Sequence, residues 1–184
     1  MRVSLKSHPE TPPNSIRAVD VEVVMTDPDD ILLRYFVDGS GLSLPEWESS
    51  GRADELWTTT CFELFLAETS GETYYEFNFS PSSQWAAYVF DRYREGRQDL
   101  TVTVEPFVER FPEIEPEDGA PLYVLDADLD LSDIPPVRMR MGLSAVIEEQ
   151  DGTKSYWALA HPAGKPDFHH PDCFTLELPP PARS

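Results

Sequence analysis

Two glutamates and an asparagine, Glu63, Glu76 and Asn78, form the group in this chain best equipped for chemistry, and Trp57 stands just ahead of them. A carboxylate accepts hydrogen bonds side by side and a primary amide both donates and accepts, so together they suit a rim of hydroxyl groups. An indole adds a flat apolar face. Their placement follows from turn arithmetic. With Ser70-Gly71 as a two-residue hairpin loop, Thr69 faces Glu72, and Leu66 pairs with Tyr75, Leu64 with Phe77 and Phe62 with Phe79 on an apolar face. The same register sets Glu63 against Asn78 and Phe65 against Glu76 on the opposite face. A slip of one residue would pair Glu76 with Leu64 and dismantle the group.

Such a set can hold a sugar ring, whose C–H faces stack on aromatics and whose hydroxyls meet carboxylates and amides. Trp157 is the second indole of the right type, and Arg92 and His161 complete the candidate ligand-binding set. The competing reading is structural: both tryptophans plug a core, and the glutamates lie on a solvated sheet face or pair with Arg92 and Arg94. Paired carboxylates also hydrolyse glycosidic bonds at separations of ~5 or ~6.5–9.5 Å, but no hydrolase motif accompanies them, and the expectation is a binding protein rather than an enzyme.

Other constellations are weaker. Asp167, His169, His170, Asp172 and His161 match no zinc spacing and read as a Pro-pinned loop. The acidic turn Asp27-Pro28-Asp29-Asp30 is of a type that holds a structural calcium, a solvated turn being commoner. Met25, Met139, Met141 and His161 could ligate haem, but Met139 and Met141 alternate inward as core residues. Ser144 lacks the second glycine of a nucleophile elbow. Cys61 and Cys173 are the only cysteines, too few for a disulfide scaffold, and are expected as thiols.

The elements that must position the group are short strands. Residues 19–25 alternate Val19, Val21, Val23 and Met25 inward, and residues 31–37 return from the acidic turn. Residues 38–55 form a long Gly- and Ser-rich connection that can lie over a site, and residues 57–66 start a strand led by Trp57. Residues 100–107, 122–129, 137–147 and 174–178 follow as strands, with a solvated Pro- and Glu-rich loop over residues 111–118. Asp151-Gly152, as a two-residue loop, pairs Ile147 with Tyr156 and Ala145 with Ala158, and places Val146 with Trp157 on the other face. With turns at this spacing and no amphipathic helix beyond a turn or two, the chain reads as a single all-β domain over residues 1–184. Its expected form is an antiparallel β-sandwich of about ten strands, with an extended lead-in over residues 1–15 and a tail over residues 179–184.

Composition narrows the partners. The 184 residues carry 34 acidic and 14 basic side chains, a formal charge of −20, which repels phosphate backbones and anionic membranes. Nucleic acid and membrane are therefore not expected as partners. No window approaches the ~20 apolar residues of a membrane span, and a cytoplasmic location is expected.

In order and spacing, several pieces resemble the DOMON-like group of small bacterial proteins, relatives of the family-nine carbohydrate-binding modules. They are His8-Pro9, Trp57 with the 61–66 strand, Tyr75-Glu76-Phe77-Asn78 with Pro81 and Trp85, the 90–94 run, and Trp157 ahead of His161-Pro162 and residues 165–169. The resemblance covers residues 17–178. It implies a jelly-roll-like β-sandwich that binds a ligand, a saccharide in the sugar-binding relatives, across one concave sheet face without chemistry, and no cofactor is expected. Trp57, Glu63, Glu76, Asn78 and Trp157 match the sugar-binding positions. The Arg-bearing run and the His169-His170 loop depart from that pattern. A non-catalytic scaffold domain, a haem-binding domain and a glycoside hydrolase are the alternatives.

Overall fold

The computed structural model describes residues 1–27, 29–111 and 121–180. Most of the solvated loop expected over residues 111–118, Pro28 of the acidic turn, and residues 181–184 lie outside them. Among the described residues there are thirteen strands. They are β1 (Arg2–Ser7), β2 (Ile16–Met25), β3 (Asp30–Gly39), β4 (Gly51–Arg52), β5 (Cys61–Glu68), β6 (Tyr74–Phe79), β7 (Gln84–Phe90), β8 (Gln98–Asp99), β9 (Phe107–Arg110), β10 (Leu122–Asp130), β11 (Met139–Glu148), β12 (Lys154–Ala158) and β13 (Leu176–Leu178). Helical structure among the described residues is limited to 3-10 turns at Leu56–Thr58 and Pro171–Cys173, and no helix there is long and apolar enough to cross a membrane.

Where the turn spacing predicts an antiparallel sandwich, the strands lie along one continuous curled path, a half-barrel, in the order β4-β7-β6-β5-β11-β12-β1-β2-β3-β10-β9. The sheet is mixed, because β4 runs parallel to β7. β1 joins the two halves of the path. Arg2 to Leu5 pair with β2, while Lys6 and Ser7 pair with β12. The mostly polar pattern of this segment and the prolines that follow it immediately predict an extended lead-in instead. The reason is visible in the burial: of its six residues only Leu5 is buried, so backbone pairing rather than side-chain burial holds it.

The halves close on each other around the main core. The Tyr35 and Phe62 rings sit 4.8 Å apart, and the Tyr35 hydroxyl donates to the Glu63 carbonyl oxygen at 2.9 Å, tying β3 to the strand that carries the site. Leu64, Leu66, Phe77 and Phe79 share this core at no more than 1% exposure, the kind of side chain whose burial contributes about 1.5–3 kcal/mol. The strand pair β5 and β6 has the register deduced from Ser70-Gly71: Phe62 opposite Phe79, Glu63 opposite Asn78, Leu64 opposite Phe77, Phe65 opposite Glu76. Strict alternation of a wholly apolar face is why that deduction succeeds.

The other hairpin register is shifted by one residue. Val146 pairs with Tyr156, Ala145 with Trp157 and Ser144 with Ala158. The loop holds three residues, Gln150, Asp151 and Gly152. It closes through Glu149 N–H donating to the Thr153 carbonyl and Gly152 N–H donating to the Glu149 carbonyl, both at 2.8 Å. Gly152 has φ of +86°, the left-handed residue that ends a three-residue hairpin loop. One residue of shift turns every β12 side chain over, so Trp157 enters the main core at 4% exposure and Tyr156 faces the other side.

Three smaller expectations are corrected. Trp57 sits on the 3-10 turn Leu56–Thr58, ahead of β5 rather than at its start. Met25 is 45% exposed, because β2 ends beyond the edge of the core. Residues 100–106 are not a strand. Thr103 is pinned instead by Asp133, which accepts from its backbone N–H at 2.5 Å and from its hydroxyl at 2.9 Å.

Candidate functional site

The face of β5, β6, β7, β11 and β12 turned away from the main core carries a second, smaller aromatic cluster that includes Phe65, Tyr74, Tyr88, Phe90, Phe168 and Phe174. The loop after β12 folds back over this face. Gly142 on β11 is what lets it seat: a Cβ there would lie 2.4 Å from the Phe174 ring, so only a glycine admits the close packing. Phe174 in turn stacks on Phe65 at 5.6 Å. Between sheet and loop is a cavity of about 460 Å³ lined by Glu63, Glu76, Trp57, Arg94, Arg97 and His169, with Phe90, Val146, Tyr156, Pro166 and Phe168.

Glu63 and Glu76 form its floor, 3% and 5% exposed. Each is oriented by a hydrogen bond, Glu63 from the neighbouring strand and Glu76 from within β6. The Ser144 hydroxyl of β11 donates to Glu63 Oε2 at 3.1 Å, and Asn78 Nδ2 donates to Glu76 Oε1 at 2.7 Å. Burial, reinforced by the charge of Glu76, pushes the Glu63 carboxyl well above the usual range. Burial also raises Glu76, against the opposing hydrogen bond from Asn78. The pair thus retains a proton to higher pH than exposed glutamates do, and can donate a hydrogen bond as well as accept one.

His169 is the third polar group. Arg94 N–H donates to the Tyr74 hydroxyl at 3.1 Å, and the same hydroxyl is hydrogen-bonded to His169 Nδ1, 2.9 Å away. The other ring nitrogen, Nε2, faces Glu76 Oε2 at 3.8 Å, beyond hydrogen-bond reach. Burial, followed by the nearby Arg94 charge, lowers the His169 pKa from 6.5 to about 4, so the ring is neutral at pH 7. Arg94 is anchored by Asp167, its guanidinium donating to Oδ1 at 2.7 Å. Arg97 lies over the Tyr88 ring at 5.1 Å.

A pH dependence follows. The unfolded chain binds the His169 proton below 6.5, whereas the folded chain excludes it until about pH 4, so stability falls as pH drops through that window, by on the order of 3 kcal/mol at most. Glu63 and Glu76 act in the opposite sense: their contribution is full below the ordinary value of 4.5 and is lost as pH rises through their elevated folded values. Thermal unfolding of His169→Gln across pH 4–6.5 is expected to lose the acid-side decline that the wild type shows. An unchanged slope would show that the ring is not held neutral.

The structure brings Trp57, Glu63 and Glu76 together in the cavity. Asn78 stands behind them, fully buried, holding Glu76. Three of the expected ligand residues lie elsewhere. Trp157 is in the main core, its Nε1–H donating to Ser155 Oγ at 2.9 Å. Arg92 is exposed and paired with Glu95 across its own turn. His161 Nε2 lies 2.7 Å from the Lys6 carbonyl oxygen, and its ring packs edge-on against His8. Tyr156, Arg94, Arg97, His169, Phe90 and Phe168 line the cavity without having been expected there. The available signal was the Arg-bearing run and the His169 loop, the two features that depart from the sugar-module pattern. Cys61 and Cys173 are both buried thiols, and no group of three or more metal-ligating side chains occurs among the described residues. Met139 and Met141 are main-core residues.

No protein-family description and no curated protein matches the chain in sequence. In structure it is similar to the crystal structure of a candidate carbohydrate-binding protein from Bacteroides uniformis, with a TM-score of 0.69 over 95% of this chain and 84% of that one, at 17% sequence identity. At that identity the likeness is one of fold.

Proposed function

We propose that this protein binds a saccharide, without turning it over, in the cavity floored by Glu63 and Glu76 and flanked by Trp57. The observation that carries this reading is the juxtaposition itself: two nearly buried carboxyls that can donate or accept, beside a half-buried indole, in one open cavity of about 460 Å³. A sugar ring presents the complementary surface, apolar on its faces and polar at its rim. The volume falls in the range of small-ligand sites, ~300–1,000 Å³. The carbohydrate-binding candidate of similar fold supports the same class, and kinship with the DOMON-like proteins belongs to this proposal. His169 and the cavity aromatics Tyr156 and Phe168 extend the contact surface.

Tryptophan fluorescence tests the reading. Titration with neutral, acidic and amino sugars is expected to perturb the emission of wild type, and Trp57→Ala is expected to bind about fivefold to a hundredfold more weakly, as loss of a ring stacked on an aromatic costs ~1–3 kcal/mol. Because Trp57 is half-exposed, the variant should unfold within about 1 kcal/mol of wild type. Equal affinity in Trp57→Ala would remove the indole from the site. Release of a shortened or hydrolysed sugar during the titration would overturn the non-catalytic reading.

A further inference from the structure

The polar lining of the cavity is not symmetric. The floor carries two carboxyls already engaged by Ser144 and Asn78. The mouth carries Arg94 and Arg97, both from the turn between β7 and β8. Arg94 is held there by two contacts, its backbone N–H donating to Tyr74 and its guanidinium to Asp167, and Tyr93 donates to the other Asp167 oxygen. Arg94 adopts φ of +56°, a conformation that costs a non-glycine residue and persists only where surroundings enforce it.

Arg97 differs from most of the arginines of this chain. Arg2, Arg17, Arg34, Arg52, Arg92 and Arg138 each form an ion pair with a carboxylate. Arg97 forms none among the described residues, although acidic side chains outnumber basic ones 34 to 14. Its guanidinium rests instead on the face of Tyr88 at 5.1 Å, and the Tyr88 hydroxyl donates to Asp54 at 2.7 Å. Carboxylates around the mouth are otherwise committed. Asp54 accepts from Arg52 at 3.1 Å as well as from Tyr88, Asp167 is held by Arg94 and Tyr93, and Glu76 accepts from Asn78. The mouth therefore offers a planar, aromatic-backed guanidinium with its donors unclaimed, beside a second that is positioned.

On the saccharide reading above, which this inference deepens, we propose that the ligand is a sugar bearing an anionic substituent, a carboxylate or a phosphate ester, that docks on Arg97 with support from Arg94 while the ring reaches Glu63 and Glu76. A guanidinium fork matches both anions bidentately. Burial weakens the floor's opposition to an anion, because it favours the protonated form of its carboxyls.

Isothermal titration at pH 7 with glucuronate, galacturonate and glucose-6-phosphate, each against its neutral parent, tests this in wild type, Arg97→Gln and Arg97→Lys. The acidic sugars are expected to bind at least about tenfold more tightly than the parents, the worth of one charge-assisted hydrogen bond, and the preference should shrink as salt is raised. A gain confined to the uronates assigns a carboxylate ligand, and a gain confined to the phosphate assigns a sugar phosphate. Arg97→Gln is expected to bring the ratio of acidic to neutral affinity toward one, with Arg97→Lys between. Equal affinity of acidic and neutral sugars for wild type, or a preference that survives Arg97→Gln, overturns the anion assignment and leaves saccharide binding standing. Absence of heat with every sugar, confirmed by an unchanged tryptophan spectrum, overturns both.

Discussion

Replacing Trp157 by alanine is expected to cost about 3–5 kcal/mol of folding stability, the range for a large aromatic removed from a closed core. Its side chain is 4% exposed among main-core residues, and its Nε1–H is satisfied by Ser155. Chemical denaturation would register the loss. Because so large a cost can simply unfold the chain, Trp157→Phe is the informative partner. It is expected to remain folded and to bind the saccharide within about twofold of wild type, since the side chain lies on the opposite face of β12 from the cavity and distant sites act independently. Had the second hairpin the two-residue loop that Asp151-Gly152 invites, Trp157 would face Ser144 and Val146, and the same substitution would weaken binding with little effect on stability. The pair of measurements thus separates two registers that differ by one residue.

The second large effect has opposite signs in two assays. Glu63→Gln is expected to stabilise the ligand-free protein at neutral pH by ~0.5–2 kcal/mol, the usual gain when strain at a functional site is relieved. Burial and the neighbouring Glu76 disfavour the Glu63 carboxylate, and an amide of the same shape escapes that penalty while still accepting from Ser144. The gain should fade as pH falls below the ordinary glutamate value of 4.5, where the wild-type side chain is itself neutral in both states. The same substitution is expected to weaken saccharide binding about tenfold to a hundredfold, as loss of hydrogen bonds to an ionisable group costs ~1.5–3 kcal/mol. Thermal midpoints between pH 4 and 8, with titration at neutral pH, read both. A variant less stable than wild type at every pH would show that Glu63 supports the fold rather than being carried by it.

How much of this could be seen beforehand depended on the kind of constraint. The first hairpin and the Glu63–Asn78 pairing were legible because Phe62, Leu64, Phe77 and Phe79 alternate without exception, and a slipped register would have put all of them in water. The second hairpin offered no such penalty. β11 buries residues on both faces, with Val146 and Ile147 at 2% and 0% exposure, so its pattern does not say which face is which, and the turn type decided the matter. β1 was missed because a strand held mainly by backbone pairing leaves almost no side-chain trace. His169 and Arg94 come from the two stretches that depart from the sugar-module pattern and Arg97 from the turn that follows the second, but only the folding back of residues 161–174 over the sheet aligns them.

By itself, then, the sequence determined an all-β chain, a net charge that disfavours nucleic acid and anionic membranes, and a strand pair carrying Glu63, Glu76 and Asn78 on one face. Each of these depends on local alternation or on summed charge, which a linear chain displays directly. The tertiary structure alone decided that Trp57 and Tyr156 flank the glutamates while Trp157 does not, that Asn78 supports Glu76 from beneath the cavity, and that two arginines and a neutral histidine complete it. Those outcomes depend on one turn residue at positive φ and on a loop docking against Gly142, contacts between positions far apart in the chain that leave no periodic signal.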